Sequence, residues 1–573
     1  MDMNKKEVIN VLETIAIYLE IKGENTFKIS AYRKAAQALE SDERTLAEID
    51  DPSKLKGIGK GTAEVINELV ESGTSRLLEE LKKELPDGLL PLLKLPGLGG
   101  KKVGKLYQEL GIVDLTSLKA ACEEGKVRDL AGFGKKTEEK MLIAIQEANQ
   151  RPERLPLPVV LPIAEKIEKQ LEKIEEIQRF SRAGSLRRLR ETVKDLDFII
   201  ATTEPDTVRK QLLELAHVSN VIANGETKVS IDVSMDVTIS VDFRLVKLEE
   251  FATTLHHFTG SKDHNVKLRQ LAKARGEKIS EYGVENVETG EVRTFDSEEA
   301  FFAHFELPFI PPEAREDQGE LERFREVNEY IETEHIQSDL HMHTTWSDGA
   351  YSIEEMVEAA RSKGYHYVAI TDHSKYLKVA NGLTEERLKE QHAKIRELNK
   401  KYEDFTIFTG IEMDILPDGT LDYEDELLAE VDFVIASIHS SFSQKQDVIM
   451  ERLKTALMNP HVDLIAHPTG RLLGRREGYE VDVEKLIELA KETKTALELN
   501  ANPHRLDLTA RWLKKAEEEG VLISINTDAH NINMLDHMSY GTGMARKAML
   551  KKETVLNTWS VQRFRQFLDR HKN

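Results

Sequence analysis

Three observations predict a multidomain α and α/β chain. Its 573 residues are enough for several domains. Residues 1–150 are dense in helix formers at helical spacing and are broken by three Gly-x-Gly hairpins. Beyond them, apolar strand-length runs carry carboxylates between 180 and 246 and histidines from 338 onward, with helical stretches between. That alternation predicts strands in the middle and a separate α/β domain from about residue 336 to the end.

Hydrophobic residues make up 40% of the chain and charged residues 32%, which fits a soluble globular protein. No apolar run reaches the length of a bilayer span, and the opening Met1-Asp-Met-Asn-Lys-Lys6 is no secretory signal, so neither a membrane nor a secreted role is expected. The single cysteine, Cys122, excludes an intramolecular disulfide and agrees with a reducing cytoplasm, the expected location. A net charge of −22 is unusual for a nucleic-acid binder, and residues 1–150 hold 23 basic against 26 acidic side chains. Any nucleic-acid contact would then have to come from local patches and backbone donors, with strong salt sensitivity.

The three hairpins supply such donors. They read Lys54-Leu-Lys-Gly57-Ile-Gly59-Lys-Gly61, Leu95-Pro-Gly97-Leu-Gly99-Gly100-Lys101-Lys102 and Leu130-Ala-Gly132-Phe-Gly134-Lys135-Lys136, each a helix-hairpin-helix signature. Glycine lets the hairpin approach a phosphate, and the amides opening the next helix donate to it. One alone is weak, because glycine also ends ordinary helices. Three of them predict sequence-independent contact with a DNA backbone. Next, Arg151-Pro-Glu-Arg-Leu-Pro-Leu-Pro-Val-Val-Leu-Pro162 is proline-rich and predicts a linker, with helix expected from Ile163 to Phe180.

The middle of the chain carries the first chemistry. Gly184-Ser185 opens a basic turn with Arg188, and a strand follows that begins Asp195-Leu-Asp197. Side chains alternate along a strand, so Asp195 and Asp197 share a face. A second strand, Val237 to Val246, carries Asp242; if the two pair, three carboxylates converge. Such a cluster repels itself unless cations sit in it, and hard oxygen donors suit Mg²⁺. Ser185 and Arg188 are placed to hold phosphates, which completes a set for two-metal phosphoryl transfer.

Residues 307–319 are again proline-rich and charged, and a change of character follows. Ser338-Asp-Leu-His341-Met-His343 puts two histidines on one strand face, with Asp348 close behind. Apolar runs then end successively at His373, Glu412, His439, His467, Asp528 and His530. Ligands at consecutive strand ends of a parallel barrel meet at its C-terminal rim, which predicts a metal centre there. Mixed imidazole and carboxylate donors admit Mn²⁺, Zn²⁺ or Fe²⁺.

Gly184-Ser185-x-x-Arg188, Asp195-x-Asp197 and Asp242-x-Arg-Leu resemble the nucleotidyltransferase palm of the family X DNA polymerases, to which polymerase beta belongs, and the likeness runs from the N-terminus to about residue 315. Asn25-Thr-Phe-Lys28-Ile-Ser-Ala-Tyr32-Arg33-Lys34 is similar to the start of that family's small domain, which implies that Lys28 and Tyr32 hold the 5′-phosphate beyond a gap. Val65 stands where animal relatives have a Schiff-base lysine; an aliphatic side chain forms no imine, so lyase chemistry by that route is not implied. His257-Phe258-Thr259-Gly260-Ser261, with Asn265 and Arg269, is similar to the segment that cradles the incoming sugar and positions the template. His257 replaces the usual tyrosine, so sugar discrimination is not implied, and Phe258 reads equally well as core.

The histidine-rich part closely resembles the PHP (polymerase and histidinol phosphatase) domain, a distorted (β/α)7 barrel, over essentially all of 336–573. The resemblance implies one metal on His341, His343, Glu412 and Asp528, a second on His439 and His467 sharing Glu412, and a third on Asp348, His373 and His530. Arg471 and Arg475 are candidate phosphate clamps or members of a solvated loop. The expected division is a small helical domain (1–85), a second hairpin domain (86–152), a palm (153–245), a nucleotide-binding subdomain (246–315), a linker (316–335) and the barrel (336–573).

Together these resemblances imply a gap-filling DNA polymerase using Mg²⁺ or Mn²⁺. They join it to a 3′–5′ exonuclease using up to three Mn²⁺ or Zn²⁺ ions, with incision at abasic sites as a further activity. The partners implied are gapped or nicked DNA bearing a 5′-phosphate and deoxynucleoside triphosphates, and a monomer is the default. Two alternatives remain: a small-molecule phosphoesterase tethered by a DNA-binding front, and a non-enzymatic scaffold for DNA ends.

Overall fold

The computed structural model describes residues 5–571 apart from 43, 45, 47, 48, 96, 149–153 and 327–329. Residues 1–4 of the opening segment, residues 151–153 of the proline-rich stretch and Pro96 of the second hairpin lie outside the described residues.

The front is helical, with helices Lys5–Lys22, Thr26–Ser41, Lys60–Ser72, Arg76–Glu84, Gly100–Leu110, Leu115–Glu123 and Lys135–Ala148. Val8, Leu12, Ile15 and Leu19 recur at helical spacing and are buried, so the first helix turns one stripe inward. Each hairpin reverses on a left-handed glycine: Gly57 (φ 108°), Gly97 (78°) and Gly132 (89°). The same bond closes all three turns, from Ile58 N–H to Leu55 O (3.1 Å), Leu98 N–H to Leu95 O (3.1 Å) and Phe133 N–H to Leu130 O (3.0 Å). Gly59 and Gly99 then cap the following helices, and Gly134 directly precedes its own.

Behind the front stands a five-stranded sheet in the order 179–182, 195–201, 238–246, 228–234, 218–224. Strand Asp195–Ala201 runs parallel to Thr238–Val246 with Asp197 beside Asp242. Leu196, Phe198 and Ile200 face the main core, whereas Ile199 and Ala201 pack with Phe251 and Leu255 of helix Phe251–Thr259. Period two therefore sends Asp195 and Asp197 to the helix Phe251–Thr259 side.

The proline-rich stretch is not a linker throughout. Leu155–Pro156 pairs with Thr192–Val193, and a helix runs Leu157–Leu171 with Pro158 in its first turn and Pro162 inside it. First-turn amides have no intrahelical acceptor, so a proline is tolerated there. The helix expected to reach Phe180 stops at Leu171, because Phe180 lies in strand Arg179–Arg182. The described residues of the 316–335 stretch are likewise packed. Glu316, Glu320, Leu321 and Phe324 are buried, Glu320 Oε1 lies 2.7 Å from His264 Nδ1, and Arg323 pairs with Glu517 at 2.6 Å.

Seven parallel strands in chain order, Ser338–Asp339 to Ile523–Asn526, make the barrel. His343 N–H donates to Ala529 O at 2.8 Å and joins its first and last members. Tyr367, Phe408, Phe433 and Ala496 cluster with Phe564 and Phe567 of the C-terminal helix Val561–Leu568. That helix fills one end, and the same strand faces continue at the other end to His373, Glu412 and His439. The core beneath the five-stranded sheet (Leu161, Phe198, Phe243) is continuous with that of the barrel (Met356, Ile487, Leu535).

Candidate active sites

The first site lies where strands Asp195–Ala201 and Thr238–Val246 meet the turn Gly184–Arg187. Gly184 adopts φ 60°, and a Cβ there would stand 2.1 Å from Asp197 Oδ2, so only glycine lets the turn lie against this carboxylate. Burial, followed by the charges of Asp195 and Asp242, pushes the Asp197 carboxyl up to about 7. The three acids thus feel one another, as a cluster relieved by cations should. Ser230 Oγ donates to Asp242 Oδ1 at 2.6 Å, and Lys228 Nζ lies 2.7 Å from Asp242 Oδ2.

A cavity of about 520 Å³ opens beside the acids, lined by Ser185, Arg188, Asp195, Asp197, Lys194 and Lys262 among others. Arg188 is held by Glu316 (Nε to Oε1, 2.9 Å) and by Thr259 O (Nη1, 2.7 Å). Its neighbour Arg187 pairs with the buried Glu298 at 2.6 Å. Asn265 Nδ2 donates to His257 O at 2.8 Å, and a Cβ on Gly260 would come within 2.6 Å of Asn265 Oδ1. Phe258 is half-buried with the Arg244 guanidinium 4.4 Å above its ring, and Arg269 is exposed. In the front, Lys28 is exposed 3.8 Å from Glu24, whereas Tyr32 is buried.

The second site is the open end of the barrel. Three groups of donors gather there: His341, His343, Glu412 and Asp528; His343, Asp348, His373 and His530; and His373, Glu412 and His439. His467 Nε2 stands 2.9 Å from Glu412 Oε1. All nine residues anticipated from the sequence are thus brought together: His341, His343, Glu412 and Asp528 gather as the first anticipated set, and each of the other two sets gains a member. His343 belongs to two groups, and His373 joins Glu412 as well as Asp348.

Outer partners orient these ligands. His341 Nδ1 lies 2.7 Å from Glu498, His439 Nδ1 lies 3.1 Å from Asp414, and His530 Nδ1 lies 2.9 Å from Asp528 O. Each arrangement frees the opposite ring nitrogen to face the centre. His341 Nε2 and Glu412 Oε2 are buried without a hydrogen-bond partner, a donor set that fits a cation. His467 (φ 29°) and Asp528 (φ 53°) hold left-handed backbone, so two of these side chains are presented from locally strained positions. Burial opposes protonation of His439, but Glu412 and Asp414 push it up to about 10.

Glu498, Asp414, Asn526 and Arg505 were not anticipated. A carboxylate inside the apolar run Ala496-Leu-Glu498-Leu was the available signal for the first. Arg471 is not free to clamp a phosphate: it pairs with Glu191 at 2.7 Å and donates to Arg505 O at 2.9 Å, stitching barrel to sheet. Arg475 is exposed, and it is Arg505 that reaches the centre, with Nε 3.6 Å from Asp528 Oδ2.

Family models match along the chain: a helix-hairpin-helix domain at 3–75, a SAM-like helix-hairpin-helix tandem at 89–147, a DNA polymerase beta thumb at 254–316 and a PHP domain at 339–502. The DNA polymerase/3′-5′ exonuclease PolX of Bacillus subtilis (strain 168) is 62% identical over 569 residues, covering 99% of this chain and 100% of that protein. The chain belongs to the bacterial PolX family. A probable phosphatase of Thermoanaerobacter sp. (strain X514) is 30% identical over 248 residues, 41% of this PolX chain and 95% of its own. Another, from Acetivibrio thermocellus, is 29% identical over 243 residues, with 41% and 95% covered. The PHP match ends at 502, short of Asp528 and His530, which follow the last barrel strand. No helix among the described residues is long and apolar enough to cross a membrane.

Proposed function

We propose that this PolX chain fills short gaps in DNA at the palm acids and removes 3′ nucleotides at the barrel centre. Family membership supports the two activities, and the pairing of Asp197 with Asp242 on adjacent parallel strands carries the first assignment. When bound, divalent cations, Mg²⁺ or Mn²⁺ at the palm and Mn²⁺ or Zn²⁺ at the barrel, supply Lewis acidity. Asp195 and Asp197 would hold them in the palm, with Ser185 and Arg188 cradling the triphosphate. Asp242, fixed by Ser230 and Lys228, orients the primer 3′-hydroxyl and accepts its proton; the 3′-oxygen attacks the α-phosphorus and pyrophosphate leaves.

In the barrel the nine imidazole and carboxylate side chains would hold the cations that bind the scissile phosphate, with the Arg505 guanidinium beside Asp528 as a further positive charge at the centre. Water adds to phosphorus, the P–O3′ bond breaks, and the proton ends on the departing 3′-oxygen. The three hairpins grip backbone phosphates, and exposed Lys28 suits the 5′-phosphate across the gap. The likeness to probable phosphatases favours a second reading, in which the barrel acts on small phosphate monoesters. Extension of a gapped primer and degradation of single-stranded DNA, measured on Asp195→Ala/Asp197→Ala and on His341→Ala/His343→Ala, test the assignment. Each pair should abolish one activity and spare the other. Hydrolysis of monoesters with DNA left intact would favour the second reading.

A further inference from the structure

The barrel lends one side chain to the polymerase centre. Lys547, the last residue of helix Met538–Lys547, donates from Nζ to Arg188 O at 2.8 Å, across 359 residues of sequence. The same Nζ lies 3.7 Å from Glu316 Oε1. That oxygen also accepts from Arg188 Nε at 2.9 Å and lies 3.8 Å from Arg190 Nη1. One carboxylate oxygen therefore faces three cations, and one of them belongs to the barrel. The side chain of Lys547 is only 16% exposed.

Packing holds this contact in place. A Cβ on Gly543, in the same helix, would stand 2.5 Å from Leu189 Cδ1, so the helix lies directly on the nucleotide turn. Arg546 pairs with Glu313 at 2.7 Å and Tyr540 bonds to Glu165 at 3.2 Å, fixing the helix on both sides.

The geometry points to Lys547 as a positioning residue for nucleotide addition, through which the PHP barrel sets how readily Arg188 engages a triphosphate. Two effects act in one direction. Lys547 anchors the carbonyl end of the Gly184–Arg187 turn, and so keeps Ser185 and Arg188 in register with the acids. It also shares Glu316 with Arg188, weakening the ion pair that an incoming triphosphate must displace. Without Lys547, Arg188 is tied more firmly to Glu316 and the site loses a positive charge. The acids stay where they are, so binding should suffer rather than turnover.

This inference rests on the Gly184–Arg188 turn being the nucleotide site, and the test separates the two. Lys547→Met, Arg188→Ala and the double variant are compared in the full-length protein. KM and kcat for a deoxynucleoside triphosphate on a gapped primer are measured beside removal of 3′ nucleotides from single-stranded DNA. Lys547→Met should raise KM about tenfold with kcat within about twofold and exonuclease unchanged. Lys547→Arg should restore KM, and Lys547→Met should have a smaller effect in the Arg188→Ala background than in the unaltered protein. An unchanged KM, an equal loss of both activities, or additive effects in the double variant would overturn the proposal. If Arg188→Ala itself leaves KM unchanged, the nucleotide-site reading falls instead. Should Lys547→Met not fold, Lys547→Gln keeps a donor for the Arg188 carbonyl while removing the charge, and the same outcomes decide.

Discussion

The palm and barrel centres solve the same problem, gathering negative charge around cations, with opposite degrees of preparation. In the palm, three acids stand on two adjacent strands beside an open cavity of about 520 Å³, and burial, followed by the charges of the other two acids, lifts Asp197. In the barrel, nine imidazole and carboxylate side chains gather at or beyond the ends of successive strands, and Glu498 and Asp414 fix two of the imidazoles from behind. On the proposed function, the first centre would receive cations together with its nucleotide and the second would retain them. A polymerase must admit and release a charged substrate at every step, whereas a hydrolytic centre keeps its cations through turnover.

The largest effects would break the comparison cleanly. Asp195→Ala/Asp197→Ala should lower primer extension by about a thousandfold or more while metal content of the purified protein, read by elemental analysis, stays the same. His341→Ala/His343→Ala should lower exonuclease activity comparably and remove bound metal. If the palm variant instead loses metal, the contrast between received and retained cations is wrong. Next, Gly184→Ala forces a methyl group onto Asp197 and should slow extension by about a hundredfold, because displacing a catalytic group by an ångström costs that much. Unimpaired extension would show that the turn is free to move away.

Smaller effects sharpen the contrast. Glu498→Gln should weaken metal retention by about 10–100-fold and reduce exonuclease activity, with extension untouched, as read by metal competition with a chelator. The smallest change is expected for Arg471→Ala, which severs the Glu191 contact and should lower stability by about 1–2 kcal/mol in thermal unfolding, with little effect on exonuclease KM. A large rise in that KM would restore Arg471 as a phosphate clamp.

Much of both sites was legible because strand periodicity and burial leave local marks. Asp195 and Asp197 show their common face by spacing alone, and the barrel histidines and carboxylates other than Asp348 lie at the ends of apolar runs. The grouping of ligands was less legible. His373 was read with Asp348 and His530, but neighbouring parallel strands lie only about 4.8 Å apart. His373 Nδ1 consequently also reaches Glu412, at 3.1 Å. The helix through Pro158 was hidden because proline signals a break by composition, while its first-turn position makes it harmless.

By itself the sequence picked out the acids, histidines and hairpin glycines proposed to carry the chemistry, since donor type, hairpin glycines and strand alternation are properties of short windows. Only tertiary structure decided the partners of those residues: Asp242 beside Asp197, Glu498 behind His341, Arg471 on Glu191, Lys547 on the turn that holds Arg188. Such contacts join residues far apart in the chain, and no periodicity records them. They are selected by the packing of one continuous core, in which a buried charge must find its counterpart or go unsolvated.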